Sequence, residues 1–257
     1  HADWAQVDLN HMAAAADWQA LVAGQDAVIN ASGLLQSGGG DRVDRVQRDA
    51  ILALSAACAG AGVGRIVQIS AAGMEGNGSD FMTSKAAADA ALLASDVPVA
   101  ILRPGLVIGR NAYGGTRLIR MAAALPVGLM PPLNAPIRCI AMADVVDAVR
   151  RALSAPDLPR DPVDLVAGDA QWLADIVRQH RQWLALAPWP RLWSLPMPLL
   201  RIGSWIADGL GHFGWRSPLR SNAIAALEVG VEGDVEATRR WLGREPLSLD
   251  ATLGTMP

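Results

Sequence analysis

Apolar and polar positions along the first two thirds of the chain switch repeatedly between two periods. Short β-branched runs, Asp26-Ala27-Val28-Ile29-Asn30, Ile66-Val67-Gln68-Ile69 and residues 97–102, are separated by longer stretches with helical spacing. Asn10 is placed to cap a helix over 11–23 that Gly24 ends, and a helix over about 44–59 is stopped by Gly60, Gly62 and Gly64. A third helix is predicted from Ser79 to Leu93. Strand, helix, strand, helix, strand in this rhythm is the sequence form of a parallel sheet with right-handed crossovers, so the expected fold class is α/β, doubly wound and Rossmann-like.

Beyond Gly109 the rhythm loosens. A helix over 116–124, a proline-rich loop over 125–136, a strand over 137–141, a helix over 143–153 and a strand over 163–166 are predicted, with Asp169 placed to cap a helix carrying Trp172, Leu173, Ile176, Val177 and Leu184. The last third is mainly helical. Trp189, Trp193, Trp205 and Trp215 crowd into 187–217, and a helix near 199–210 puts Leu199, Ile202, Ile206 and Leu210 on one broad face and Arg201, Ser204 and Asp208 on the other. Such a helix suits either a lid packed on the sheet or a surface that meets a membrane or partner. Short helices over 217–229 and 234–242 close the chain. The expected division is a partial dinucleotide-binding domain over 1–167 and a Trp-rich lid or docking region over 168–257.

Composition narrows the class. At 51% hydrophobic and 18% charged residues, the 257-residue chain is globular, and its formal charge of −3 argues against a basic face for nucleic acid. The two cysteines, Cys58 and Cys139, lie in a helix-like and a strand-like run, which fits buried, reduced thiols in a cytoplasmic protein better than a disulfide framework. His11, His180 and His212 lack ligand spacing, so no metal site is expected.

The candidate chemistry gathers between Arg65 and Lys85. A strand ends at Ser70, a glycine-rich loop follows, and the next helix aims Lys85, the sole lysine, back at the strand's end. In open α/β sheets ligands sit outside the carboxyl ends of the strands. Asp144, at a helix start, is expected to stabilise the helix N-terminus.

The order Val7-Asp8-Leu9, then Asp26 through Ala31-Ser32-Gly33, then Ile69-Ser70-Ala71, Lys85, and Leu102-Arg103-Pro104-Gly105 with Ile108-Gly109 resembles the extended or atypical short-chain dehydrogenases. Within them it looks closest to the NAD(P)H-binding proteins fused to DoxX-type membrane domains and the dehydrogenase-like accessory subunit of respiratory complex I. The resemblance implies NAD or NADP as cofactor, with NADPH slightly preferred although no residue of the sequence selects between them. It places Asp8 and Leu9 at the adenine, Ala31, Ser32 and Gly33 where the dinucleotide nears the backbone, and Pro104, Gly105, Leu106 and Val107 at the nicotinamide. Lys85 would hold the nicotinamide ribose and, with Ser70, form what remains of the catalytic set.

Two departures stand out. Phe81 occupies the position of the family's catalytic tyrosine, and Ala72 replaces the last residue of its serine run. Loss of such proton-handling groups typically lowers rate by about 10²–10⁴-fold. Further, no glycine-rich phosphate turn precedes Asp8, and the opening HADWAQVDLNHM reads as the end of a strand entering a helix. The expectation is therefore an N-terminally truncated domain lacking two strand–helix units, on the order of fifty residues. Two functions follow as alternatives. One is an NAD(P)H-dependent oxidoreductase whose acceptor needs no tyrosine acid. The other is a non-catalytic nucleotide-binding module of a membrane-associated redox complex, peripheral at the inner membrane and docked through the Trp-rich region.

Overall fold

A computed structural model describes residues 3–34, 37–38, 40–73, 78–212 and 228–256, with the backbone alone at 206, 208 and 210–212. In chain order its elements begin α1 (Ala15–Val22), β1 (Ala27–Asn30), α2 (Ala50–Ala61), β2 (Arg65–Ile69), α3 (Asp80–Leu93), β3 (Val99–Pro104), β4 (Leu106–Ile108) and α4 (Gly114–Ala124). They continue with β5 (Gly128–Met130), β6 (Cys139–Ala141), α5 (Met142–Ser154), β7 (Val163–Leu165), α6 (Leu173–Trp183), β8 (Leu192–Ser194), α7 (Met197–His212), α8 (Val235–Leu242) and α9 (Leu249–Gly254). The main sheet has the order β1-β2-β3-β7. Two units divide the chain, His1–Arg103 with Val149–Val163 and Pro104–Ala148 with Asp164–Pro257.

The first unit is built on parallel pairing, with Val28 opposite Ile66 and Val67 opposite Ala100. Parallel strands are covered on both faces, which is why β2 and β3 run nearly without polar residues except at their ends. Trp18, Ile51, Leu54 and Leu92 from the three helices pack with Ile66 and Ile101. The Ala-rich α2 is apolar all round and buried over most of its length; Gly62 ends it at φ 70°, with the Val63 amide donating to Cys58 O at 3.0 Å. A π-helical turn, Arg45–Asp49, leads into it. In α3 the Ser79 hydroxyl accepts from the Met82 amide at 3.3 Å and Asp80 lies in the first turn, so the N-terminus is satisfied in the expected way. Arg65 donates to Ala152 O at 2.9 Å and Ala155 O at 2.8 Å, occupying carbonyls that the end of α5 leaves unpaired.

The second unit contains two parallel pairs, β4 with β6 and β5 with β8. Ile108, Ile137, Ile176, Val177, Leu249 and Leu253 form its core. Asp144, fully buried in the first turn of α5, is more than a helix-end charge: it meets Arg244 at 2.6 Å and accepts from the Leu247 amide at 2.8 Å, tying the tail to α5. At Gly105 a β-carbon would lie 2.5 Å from Arg138 O and 3.0 Å from Val166 Cγ1, so only glycine permits that backbone approach.

Several predicted elements take another form. Residues 7–9 are not a strand, because Asp8 accepts from the Asn10 amide at 3.0 Å and caps a single 3₁₀ turn, Leu9–His11. Asn10 caps no helix; its side chain reaches Asp8 and Asp41 and accepts from the Arg42 amide, and α1 starts later, where Asp17 accepts from the Ala14 amide at 2.9 Å. Asp169 does not cap α6, which begins behind Trp172. The loop over 125–136 contains β5, and the tail gains α9, capped by Ser248. Most of the helix expected over 217–229, with Trp215 and the loop residues 74–77, lies outside the described residues.

Candidate functional site

The polar ends of β1 and β2 create the first part of the site. Asn30 and Gln68 are register partners, both buried, and the Asn30 amide donates to Gln68 Oε1 at 2.7 Å. The other side of the Asn30 amide accepts from the Ser32 backbone at 3.1 Å and from its hydroxyl at 2.7 Å. That arrangement fixes where Ala31-Ser32-Gly33 leave the sheet. Gln47, buried just before α2, donates to Leu34 O at 3.1 Å and secures the far side of the loop.

α3 supplies the second part. Phe81, Lys85 and Asp89 stand four residues apart and share one stripe, with side chains leaning toward the helix N-terminus. Lys85 is buried; its Nζ donates to Ile69 O at 3.0 Å and lies 5.7 Å from the centre of the Phe81 ring. A β-carbon on Gly33 would sit 4.0 Å from that same Nζ, so the loop after β1 and the lysine of α3 converge. Asp89 is almost wholly buried behind it. Its carboxylate accepts from the Ser70 hydroxyl at 2.8 Å and from Arg103 Nε at 3.1 Å.

Burial dominates the electrostatics of both groups. It pushes the Lys85 ammonium down to about 8, against the opposing pull of the Asp89 carboxylate. It likewise holds the Asp89 carboxyl above its ordinary range, outweighing the Ser70 hydrogen bond and the charges of Arg103 and Lys85. The region is therefore a buried cluster of charged groups at the carboxyl ends of β1, β2 and β3, the location where parallel sheets bind ligands.

Within the first unit the structure brings Ser32, Gly33, Ser70 and Lys85 together. Asp8 is exposed; the hydrogen bonds from Asn10, then the nearby His11, hold its carboxyl below its ordinary range, and Leu9 packs on the first unit's core. Pro104 ends β3, and Gly105, Leu106 and Val107 belong to the second unit, where the Gly105 amide donates to Leu165 O at 3.0 Å and the Leu106 amide to Arg138 O at 3.0 Å. Ala72 is buried. The sequence pattern does not mark Asn30, Gln68, Asp89 or Arg103 as site residues. For Asp89 the available signal is its spacing four residues after Lys85.

The residues of the first unit fit a dinucleotide. An ammonium carries three donors, and among the described residues the hydrogen bond of Lys85 is the one to Ile69 O, which leaves donors for sugar hydroxyls; Gly33 keeps the approach to that amine free of a side chain.

Residues 2–126 match the family model described as NAD(P)H-binding. Over 210 residues the chain is 29% identical to a ceramide reductase of Caulobacter vibrioides, covering 80% of this chain and 63% of that protein, so the match spans less than two thirds of the relative's own length. Among solved structures it resembles the NADPH-dependent quinone oxidoreductase QOR2 of Escherichia coli in complex with NADPH, at TM-score 0.67 and 18% identity, covering 97% of this chain and 81% of that one. It also resembles a nucleoside-diphosphate-sugar epimerase of Staphylococcus aureus, at TM-score 0.69 and 13% identity, covering 96% and 82%. Residues 2–126 thus resemble the NAD(P)H-binding family, and the chain as a whole carries a Rossmann-type fold.

Proposed function

We propose that the protein is an NAD(P)H-dependent oxidoreductase of the short-chain dehydrogenase and epimerase type that works without a tyrosine acid, with residues 1–167 serving the nucleotide and 168–257 the acceptor side. The observation that carries this reading is the placement of Lys85 Nζ between Ile69 O and Gly33, above the hydroxyl-free ring of Phe81. The bound nicotinamide supplies a hydride. Lys85 would hold its ribose, Ser32 and Gly33 would line the approach of the dinucleotide, and Pro104, Gly105, Leu106 and Val107 would flank the nicotinamide; Asp8 and Leu9 would sit toward the adenine. Asp89 keeps Ser70 and Arg103 in place beneath them. NADPH is the preferred cofactor in this reading.

Phe81 cannot protonate a developing alkoxide, so the acceptor is one whose reduction draws its proton elsewhere, such as a flavin-like or quinone-like molecule. The name of the Caulobacter relative, a ceramide reductase, and that of the quinone oxidoreductase both favour a reductase with a lipid-soluble acceptor. We place the chain nearest the DoxX-fused proteins and the complex I accessory subunit on its motifs, and assign the Trp-rich region to a membrane-associated partner side. A second reading, a nucleotide-binding module without turnover, is favoured by Phe81 together with the buried Ala72.

Calorimetric titration of NADPH and NADH into the protein and its Lys85→Met variant tests the site. Saturable binding that weakens at least roughly tenfold in the variant is expected from loss of a charge-assisted hydrogen bond. Equal binding by both proteins, or none by either, refutes the placement. NADPH oxidation with a soluble quinone then separates the readings: turnover supports the reductase, and binding without turnover supports the module. Phe81→Tyr is expected to leave nucleotide affinity little changed.

A further inference from the structure

The C-terminal region of the second unit turns its apolar side outward. On α7 the small residues Ser204 and Ala207 are buried, while Leu199, Ile202 and Trp205 are 57%, 50% and 67% exposed. Leu199 and Ile202 of the apolar face predicted from the helical wheel are therefore free, and Ser204, expected on the polar side, lies inward. The strand just before it behaves the same way. Trp193 of β8 is the register partner of Leu129 of β5, and both side chains point away from the core, at 52% and 39% exposed. Soluble chains seldom leave aromatic and aliphatic groups gathered this way without an occupant.

The charge around this face identifies the occupant. Residues 176–207 hold four arginines and four tryptophans but no aspartate or glutamate, in a chain whose formal charge is −3. Two of the arginines are mounted on the indoles: Arg191 lies 4.6 Å from the Trp193 ring and Arg181 4.3 Å from the Trp189 ring. Arg181, Arg191 and Trp189 line a cavity of about 610 Å³ between the end of α6 and β8. Arg201 projects from α7 with Glu228 at 3.7 Å, Arg178 pairs with Asp175 at 2.6 Å, and the Arg181 guanidinium donates to the carbonyls of Ala187, Ala123 and Leu125, so the positive charge is partly offset at the edges and Arg191, on the exposed Trp193 ring, carries it on the outer face. Guanidinium groups beside indoles and exposed leucines match a surface that is anionic at its phosphates and apolar just below them.

From this geometry we infer that β8 and the first half of α7 dock on an anionic lipid bilayer, with Leu199, Ile202, Trp193 and Trp205 entering the interface and Arg191 and Arg201 meeting lipid phosphates. The attachment is interfacial, since no helix among the described residues is long and apolar enough to cross a membrane. The inference deepens the membrane-side assignment of the proposed function and names its chemistry.

Sedimentation of the protein with vesicles tests it, comparing phosphatidylcholine alone with phosphatidylcholine mixed with phosphatidylglycerol. Roughly tenfold or tighter binding to the mixed vesicles is expected, with a blue shift of tryptophan emission and release at high salt. The variant R191E/R201E should lose the preference for the mixed vesicles, and W193A/W205A should lose binding to both while keeping the far-ultraviolet circular dichroism of the parent, because all four side chains are exposed. Equal binding to the two vesicle types, or binding to neither, overturns the inference. So does a stable dimer in the absence of vesicles that Trp205→Glu dissociates, since a second copy would then cover the face. NADPH titration of the same samples keeps the outcomes separate: vesicle binding without nucleotide binding overturns the reading of the first unit alone.

Discussion

Replacing Lys85 with methionine should change how stability depends on pH. Folding carries the lysine from water, where its ordinary value is 10.5, to a buried position where it is about 8. Because the folded value is depressed, the charged form is disfavoured by the fold. The destabilisation is fully present below about pH 8 and disappears as pH rises toward the ordinary lysine value. Each tenfold change in proton affinity is worth about 1.4 kcal/mol, so the burial of the ammonium costs about 3 kcal/mol at neutral pH. Between pH 7 and pH 9.5 about 2 kcal/mol of that is relieved. Urea unfolding of both proteins at several pH values in that range measures it. The parent should gain about 2 kcal/mol relative to Lys85→Met across the interval. Using the difference is essential, because Cys58 and Cys139, whose thiols burial pushes up (Cys139 to about 12), lower stability at alkaline pH as the unfolded chain ionises, and they do so equally in both proteins. Parallel pH profiles for the two would refute the argument, since they would mean that Lys85 keeps its solvation in the folded state.

Three further substitutions probe other joints of the structure. Gly105→Ala, whose new methyl would meet Arg138 O at 2.5 Å, should lose about 1–3 kcal/mol in urea unfolding, and an unchanged midpoint would contradict the close approach. Asp144→Ala strips Arg244 and the Leu247 amide of a buried acceptor and should cost about 2–3 kcal/mol, with Asp144→Asn costing less; hydrogen exchange of residues 243–254 should rise in step. Asn30→Ala leaves Gln68 Oε1 without its donor and releases Ser32, so stability should fall by about 1–3 kcal/mol and NADPH affinity should fall with it.

Local signals make the sheet and α3 readable. The β-branched runs end within two residues of β1, β2 and β3, and Ser79 followed by Asp80 marks a helix start that the hydrogen bond to the Met82 amide bears out. The failures have physical causes. Around Asp8 and Asn10, side chains bond to their own neighbourhood and displace the expected strand, a competition that hydrophobic periodicity does not register. On α7 the helical wheel separates two faces but does not tell which one packs. Ser204 and Ala207 turn inward with little side-chain volume between the helix and what it lies on, so the larger Leu199 and Ile202 are left outside.

The site divides along the same line. Lys85 is legible because it is singular and follows the central strand, whereas Asp89 on an Ala-rich helix has the sequence appearance of an ordinary solvated acid. Only the fold brings to it the Ser70 hydroxyl from the end of β2 and the guanidinium of Arg103, fourteen residues along the chain. The resulting balance bears on function. Asp89 favours the charged lysine, yet burial outweighs it, and burial also outweighs Ser70 and Arg103 at the carboxyl of Asp89 itself. A buried pair that destabilises on balance adds little to a structural core, where apolar residues of similar volume are often as good or better. Its position at the carboxyl ends of a parallel sheet, beside a side-chain-free glycine, supports the proposed nucleotide site, which calls for donors fixed before the ligand arrives. Phe81 completes that logic. The centre of its ring lies 5.7 Å from Lys85 Nζ, and the ring carries no hydroxyl to hand a proton to a carbonyl oxygen. Under the proposed function the site keeps what a dinucleotide needs without a tyrosine acid at position 81, which points the search for an acceptor toward molecules that carry their own route to a proton.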